Sequence, residues 1–262
     1  MDLGLKDKRA LVLASSGGLG LAIATALCQE GAHVMLSGRS ADKLEAAAAE
    51  LTANGPGKAE FTVIDLTDAK AADTLYSAAV ESMGGVDILV NNGGGPPPGG
   101  IEGQDSDTWR SQFEAMVVRL IEMANLCLPG MREAGWGRIL TVASSGVIQP
   151  IPNLSISNTI RSAIVGWNKS LSNEVAADGI TVNILAPGRV ATDRTQALDE
   201  NAAKRQGKTV EEVRAASQAT IPAGRYGKVE EFGAVAAFLL GEPASYVTGS
   251  IIRCDGGSIR SV

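Results

Sequence analysis

The sequence predicts an α/β chain whose single parallel sheet is doubly wound, with helices on both faces. Three observations predict it. Short apolar runs alternate with helix-like stretches from one end to the other, the order expected of strands joined by crossover helices. No linker and no internal repeat divides the 262 residues, a length normal for one α/β unit, so 1–262 is read as one domain. The first apolar run passes through a glycine-rich turn straight into the first helix-like stretch.

The elements follow in order. Arg9–Ala14 reads as a buried strand, and Leu19–Glu30 as a helix ended by Gly31. His33–Ser37 is the second strand, and Lys43–Ala53 an alanine-rich helix closed by Asn54-Gly55. Glu60–Asp65 is the third strand, followed by a helix from about Ala69 to Met83, and Val86–Val90 is the fourth strand. Ser106 is expected to cap a helical region that reaches Ala134 with a break near Pro129. Arg138–Ala143 is the fifth strand, Asn158–Ala177 a long helix with Gly179 at its end, and Thr181–Ala186 the sixth strand. A last helix, Val229–Leu240, precedes a strand near Ser250–Cys254. Two segments break the rhythm. Gly93–Gly103 is loop, rich in Gly and Pro. The polar, partly helical stretch Arg189–Arg225 is either a mobile substrate lid or a surface excursion without a role.

Composition narrows the function classes. Hydrophobic residues are 45% of the chain and charged residues 20%, which supports a packed core and excludes a disordered chain. The net charge of −6, with no basic stripe, gives no electrostatic footing for a nucleic-acid partner. Cys28, Cys127 and Cys254 are scattered without metal-type spacing, and His33 is the lone histidine, so no metal site is expected. The start lacks a signal-peptide core and no apolar run reaches membrane length, so the expectation is a cytoplasmic protein with no membrane partner.

The turn Ala14-Ser15-Ser16-Gly17-Gly18-Leu19-Gly20 lies between a strand and a helix, where a dinucleotide-binding, Rossmann-type domain holds the pyrophosphate. Glycine there lets the backbone approach the phosphates, and the helix start offers free N–H groups. Ser15, Ser16, Gly18, Leu19 and Gly20 are therefore candidate cofactor contacts. The second strand ends without the carboxylate that would bind the ribose 2′-hydroxyl of NAD(H). Ser37 and Arg39 suit a 2′-phosphate instead, so NADP(H) is preferred over NAD(H); the alternative is that Arg39 is a solvated helix-start residue.

In these motifs the chain resembles the short-chain dehydrogenase/reductase family over nearly its whole length. Gly18 and Gly20 match the last two glycines of the family's Thr-Gly-x-x-x-Gly-x-Gly, while Leu13 and Ala14 replace its Thr and first Gly. Asp65-Leu66 resembles the family's adenine-contacting pair, and Asn91-Asn92-Gly93-Gly94 its Asn-Asn-Ala-Gly. The segment with Pro187, Gly188, Val190 and Thr192 resembles the family's Pro-Gly stretch, which implies contacts to the nicotinamide amide. Asp65, Leu66, Asn92, Gly93, Pro187, Gly188, Val190 and Thr192 thus join the candidate cofactor set.

The resemblance fails at the catalytic end. The family's chemistry uses Asn, Ser, Tyr and Lys. Ser144 is the expected Ser, with Ser145 as the alternative; Met116 stands at the Asn position, Ser157 at the Tyr position and Arg161 at the Lys position. A Ser hydroxyl is a far weaker acid than a phenol, and a guanidinium keeps its proton, although Arg161 can still bond a ribose or a carboxylate bidentately and so is a candidate cofactor contact too. Losing a positioned general acid costs about 10²–10⁴-fold in rate. A water between Ser144 and Ser157, or Arg161 holding an acidic group of the substrate, would be the replacement routes. Asn92–Gly99 and Pro150–Leu154 are similar to a divergent branch near the 3-oxoacyl-carrier-protein reductases in which Ser and Arg replace Tyr and Lys.

The resemblance implies an NADP(H)-dependent oxidoreductase acting on a small-molecule carbonyl or secondary alcohol, and a homotetramer or homodimer packed through the helices bearing Met116 and Arg161. Two other readings stay open: a non-catalytic dinucleotide-binding sensor or partner subunit, and a module that has lost the nucleotide as well.

Overall fold

The computed structural model describes residues 1–261. Seven strands form one sheet: β1 (Arg9–Val12), β2 (His33–Gly38), β3 (Lys58–Val63), β4 (Ile88–Asn91), β5 (Gly137–Val142), β6 (Ile180–Pro187) and β7 (Ile251–Cys254). Their spatial order is β3-β2-β1-β4-β5-β6-β7 and every pairing is parallel. The helices are α1 (Gly18–Gln29), α2 (Ala41–Asn54), α3 (Ala71–Met83), α4 (Ser106–Phe113), α5 (Arg119–Ala134), α6 (Ser155–Val175), α7 (Asp193–Gln206), α8 (Val210–Ala219) and α9 (Val229–Leu240).

Side chains alternate across a strand, and here the alternation feeds two cores. Ala10, Val12, Val34, Leu36, Ile88, Val90, Leu140 and Val142 face a layer containing α1, α2 and α9. Leu11, Leu13, Met35, Leu89, Ile139 and Val182 face the opposite layer, built from α3, α5 and α6. Both faces are covered, so the central strands read as continuous apolar runs.

Four expectations need correction. The third strand is Lys58–Val63, not Glu60–Asp65, because it is an edge strand with largely exposed side chains and a weak apolar signal. Asp105, not Ser106, caps α4: its carboxylate accepts from the amides of Asp107 and Thr108. Pro129 does not break α5. Pro129 and Asn125, whose carbonyl loses its amide partner, both lie on the exposed face, so water can take the place of that bond. The irregularity comes earlier, as a π turn over Glu114–Val118 between α4 and α5. Finally, α6 begins at Ser155 and ends at Val175 rather than running Asn158–Ala177. Ser155 is tied to the Gly99 carbonyl, and the Asn158 side chain turns back onto Ile151 instead of starting the helix.

Candidate active site

In a doubly wound sheet the crevice opens at the carboxyl ends of the strands where their order reverses, here between β1 and β4. The turn after β1 forms one wall. Asn92, just past β4, reaches across and donates to the carbonyls of Leu13 and Ala14, both at 3.1 Å. Gly20 makes this clasp possible: a Cβ there would stand 2.6 Å from the Ala14 oxygen and 2.7 Å from the Asn92 amide nitrogen. Ala14 itself takes φ 47°, the left-handed region.

Helix α1 starts at this turn with Gly17 as its N-cap and no side-chain cap. The first amides of a helix have no intrahelical partner, so this start presents bare N–H donors and the positive end of the helix dipole. A Cβ on Gly17, Gly93 or Gly94 would meet nothing within 4 Å, so the backbone here borders open space. Across the crevice, a Cβ on Gly18 would lie 3.9 Å from the Thr192 methyl, which places the segment after β6 over the turn. These features fit a dinucleotide's diphosphate.

The sequence-selected serines divide in role. Ser15 is buried, and its hydroxyl donates to the Val12 carbonyl and accepts from the Ser37 amide. The Ser37 hydroxyl accepts from Ala14 and donates to Val12. Both hydroxyls brace the turn against β2 rather than facing the crevice, because a buried hydroxyl needs partners. Ser16 alone of the three is turned toward the end of β2: its hydroxyl would be 3.1 Å from a Cβ on Gly38. Next to Gly38 stands exposed Arg39, which enters no ion pair among the described residues. Its charge reaches Asp65, whose pKa is lowered first by the Thr67 amide, against a smaller upward push from burial, then by the Thr67 hydroxyl and by Arg39. The Leu66 carbonyl accepts from Arg119, which anchors this rim.

The segment after β6 is built around its backbone. The Gly188 amide bonds to Cys254, and Val190 forms a bridge with Gly227. The Thr192 hydroxyl caps α7 by accepting from the Thr195 amide. The stretch 189–225 is therefore two helices, α7 and α8, leaving the sheet through one narrow base. Asp199, 1% exposed, holds it together. Its carboxylate accepts from Arg189 at 2.9 Å and from the Tyr226 hydroxyl at 3.0 Å, and Arg214 pairs with it at 3.7 Å. Tyr226 is thereby committed to Asp199. Of the other tyrosines, Tyr246 is fully exposed, and Tyr76 sits on α3 beside Cys127.

At the far wall, Ser144 caps a short 3₁₀ turn and its hydroxyl accepts from the Gly146 amide at 3.0 Å. Ser157 and Arg161 lie in the first two turns of α6, both half-buried. Arg161 donates to the Val142 carbonyl at the end of β5, at 3.0 Å. Burial first, and the like charge of Arg194 second, lower its pKa to about 10, so at neutral pH it remains a cation. Met116 is in the π turn and packs in the core shared with Ile156 and Ile160. Sequence reasoning missed Arg194, which reaches from α7 to the Gly95 and Pro96 carbonyls at 3.5 and 3.3 Å. It missed Asp199 too, since nothing in a polar helix marks which carboxylate turns inward.

An open groove of about 590 Å³ lies elsewhere, between α2 and β3, lined by Ala48, Ala49 and Phe61 among others. It follows the outer edge of the sheet, away from the strand ends that form the crevice. Among the described residues no group of three or more His, Cys, Asp or Glu converges as metal ligands, and no helix is long and apolar enough to cross a membrane.

The family profile described as Enoyl-(Acyl carrier protein) reductase matches residues 13–258. The chain belongs to the short-chain dehydrogenase/reductase family. This short-chain dehydrogenase/reductase is 34% identical over 256 residues to the Bos taurus protein named dehydrogenase/reductase SDR family member 4, covering 97% of this chain and 88% of the other. It is 33% identical over 257 residues to the Vibrio cholerae 3-oxoacyl-[acyl-carrier-protein] reductase FabG, covering 97% and 98%. Its fold matches the L-sorbose reductase of Gluconobacter frateurii, solved with NADPH and L-sorbose, with a TM-score of 0.95 at 31% identity over 100% of both chains.

Proposed function

We propose that this chain is an NADP(H)-dependent oxidoreductase that interconverts a carbonyl and a secondary alcohol, similar to a 3-oxoacyl reductase, with an altered catalytic site. The observation that carries the cofactor reading is the uncapped start of α1 beside Arg39, which enters no ion pair among the described residues. One supplies N–H donors for the diphosphate, and the other a guanidinium for the 2′-phosphate. Solved structures of similar chains, including L-sorbose reductase and actinorhodin polyketide ketoreductase, carry NADPH, which supports the same choice. Ser15, Leu19, Asn92, Pro187 and Gly188 then act through backbone groups or by shaping the crevice, while Ser16, Arg39, Asp65 and Thr192 offer side chains.

When bound, the cofactor supplies or accepts the hydride. The chain supplies the rest. Ser144, fixed by Gly146, orients the carbonyl oxygen, and a water between Ser144 and Ser157 gives a proton to the substrate oxygen, or takes one from it, and exchanges it with bulk water. Arg161 is the fixed cation of the site, held by Val142, where Ser157 and Arg161 replace the family's Tyr and Lys. Stretch 189–225 serves as the lid. We place the protein in the cytoplasm as a homotetramer or homodimer packed through α4, α5 and α6.

The engagement of Tyr226 with Asp199 favours one second reading, a dinucleotide-binding protein without turnover. Calorimetric titration with NADPH and NADH, followed by NADPH oxidation with a panel of 3-oxo compounds, separates the two. NADPH should bind more tightly than NADH, and Arg39→Ala should remove about 10–100-fold of NADPH affinity while leaving NADH nearly unchanged. Equal losses would refute the 2′-phosphate assignment. NADPH binding with no turnover across the panel would favour the second reading.

A further inference from the structure

The far wall of the crevice holds two guanidiniums that have no counterion among the described residues. Arg161 rises from α6 and is tethered by one hydrogen bond to the Val142 carbonyl at 3.0 Å. Arg194, in the first turn of α7, lies against the loop after β4, where it donates to the Gly95 and Pro96 carbonyls at 3.5 and 3.3 Å. That loop is fastened at Gly99 to the Ser155 hydroxyl at the start of α6, the helix that carries Arg161, so the two guanidiniums meet across it; burial first and the like charge of Arg194 second lower the Arg161 pKa, and no carboxylate raises it back. Among the described residues neither arginine takes part in an ion pair. Holding like charges together, one of them half-buried, opposes folding unless an anion joins them. Each guanidinium carries five N–H donors. Most remain unused here, in the forked geometry that matches a carboxylate.

The cofactor's diphosphate is not that anion. Its cradle is at the end of β1, whereas Arg161 is anchored at the end of β5, with β4 between them. Neighbouring strands are about 4.8 Å apart, which separates the two positions by roughly 10 Å.

We infer that Arg161 and Arg194 form a subsite for a free carboxylate on the substrate, so that, within the carbonyl and alcohol chemistry proposed above, the substrate is an oxo or hydroxy acid. The inference rests on the oxidoreductase reading and names its substrate class. Arg194 reaches this subsite from the lid, so an acid bound there ties α7 to the rest of the crevice.

The test is calorimetry on protein saturated with NADP⁺, titrated with acetoacetate, 3-hydroxybutyrate, malonate and, as the uncharged counterpart, methyl acetoacetate. At least one acid should bind 10-fold or more tightly than the ester. Arg194→Gln, at an exposed position, should weaken that acid about 10–100-fold and leave NADP⁺ affinity and ester binding unchanged. In the unsubstituted protein, the same acid should slow phenylglyoxal labelling of Arg161 and Arg194, read by mass spectrometry. Acids that bind no better than the ester, or no protection from labelling, overturn the inference and leave the oxidoreductase reading standing. A loss of NADP⁺ affinity in Arg194→Gln as large as the loss for the acid also overturns it, by assigning the pair to the cofactor. No binding of NADP⁺ or NADPH at all overturns the oxidoreductase reading and the inference with it.

Discussion

Replacing Gly20 with alanine tests whether the turn after β1 is built as described. The new methyl would lie 2.6 Å from the Ala14 carbonyl oxygen and 2.7 Å from the Asn92 amide nitrogen, both of which must move. Overpacking of this kind costs about 1–3 kcal/mol. Disturbing the Asn92 clasp adds about 0.5–1.5 kcal/mol. Exchanging Gly for Ala inside a helix returns about 0.5–1 kcal/mol. The net loss is about 0.5–4 kcal/mol, a drop of roughly 1–16 °C in melting temperature for a chain of this size. Gly17→Ala is the matched control. Gly17 has extended backbone, and its added methyl would meet no protein atom within 4 Å. That variant should melt within about 1 °C of the parent yet bind NADPH at least about 10-fold more weakly, because the methyl enters the space assigned to the diphosphate. Differential scanning calorimetry and NADPH titration read both effects. A Gly20→Ala protein as stable as the parent, or a Gly17→Ala protein with full NADPH affinity, would refute the reasoning.

Ala14→Gly should raise the melting temperature by about 1–3 °C, since relief of about 1–2 kcal/mol of left-handed strain exceeds the entropy glycine adds to the unfolded chain; a lower melting temperature would contradict it. Asp199→Ala should loosen the α7–α8 excursion by about 1–3 kcal/mol, less than a fully buried pair because Arg189 and Arg214 are 45% and 40% exposed and hydrate when released. Protease cleavage inside 192–226 should then speed up roughly 5- to 150-fold while the sheet's slowest-exchanging amides are unaffected. Asp87, at the start of β4, is pushed up by burial but held below the usual carboxylate range by hydrogen bonds from the Arg9 guanidinium and amide, which prevail. Its folded pKa lies below the unfolded one, so the pair's stabilisation is full above about pH 4 and is lost as pH falls through the folded value. Asp87→Asn should cost about 1–3 kcal/mol at pH 7, with the difference from the parent shrinking in acid; a difference that grows in acid would reverse the assignment.

The sheet was largely legible because its central strands are buried on both faces, and runs such as Ala10–Val12 and Ile88–Val90 leave no other reading. The edge strand β3 was legible only to within two residues, since half-exposed side chains blur the apolar signal. The π turn at Glu114–Val118 leaves no composition cue: one extra residue in a helix looks like helix. At the site, the turn after β1 announced itself through glycine, yet the inward direction of the Ser15 and Ser37 hydroxyls depends on β2 packing beside β1. Arg194 and Asp199 were invisible for the same reason. Arg194 meets carbonyls almost a hundred positions earlier in the chain, and Asp199 draws partners from both ends of the excursion and from α8.

The meeting of Val190 with Gly227 has an evolutionary consequence. A segment whose two ends meet beside one strand end can change in length between them without shifting the register of the sheet, provided its remaining ties, Arg194 to the Gly95 and Pro96 carbonyls and Ala223 to Gly256, are kept. The sheet and the 189–225 excursion can therefore vary separately in this chain, and exchanging the residues between Val190 and Gly227 for another family member's tests whether the excursion governs what enters the crevice.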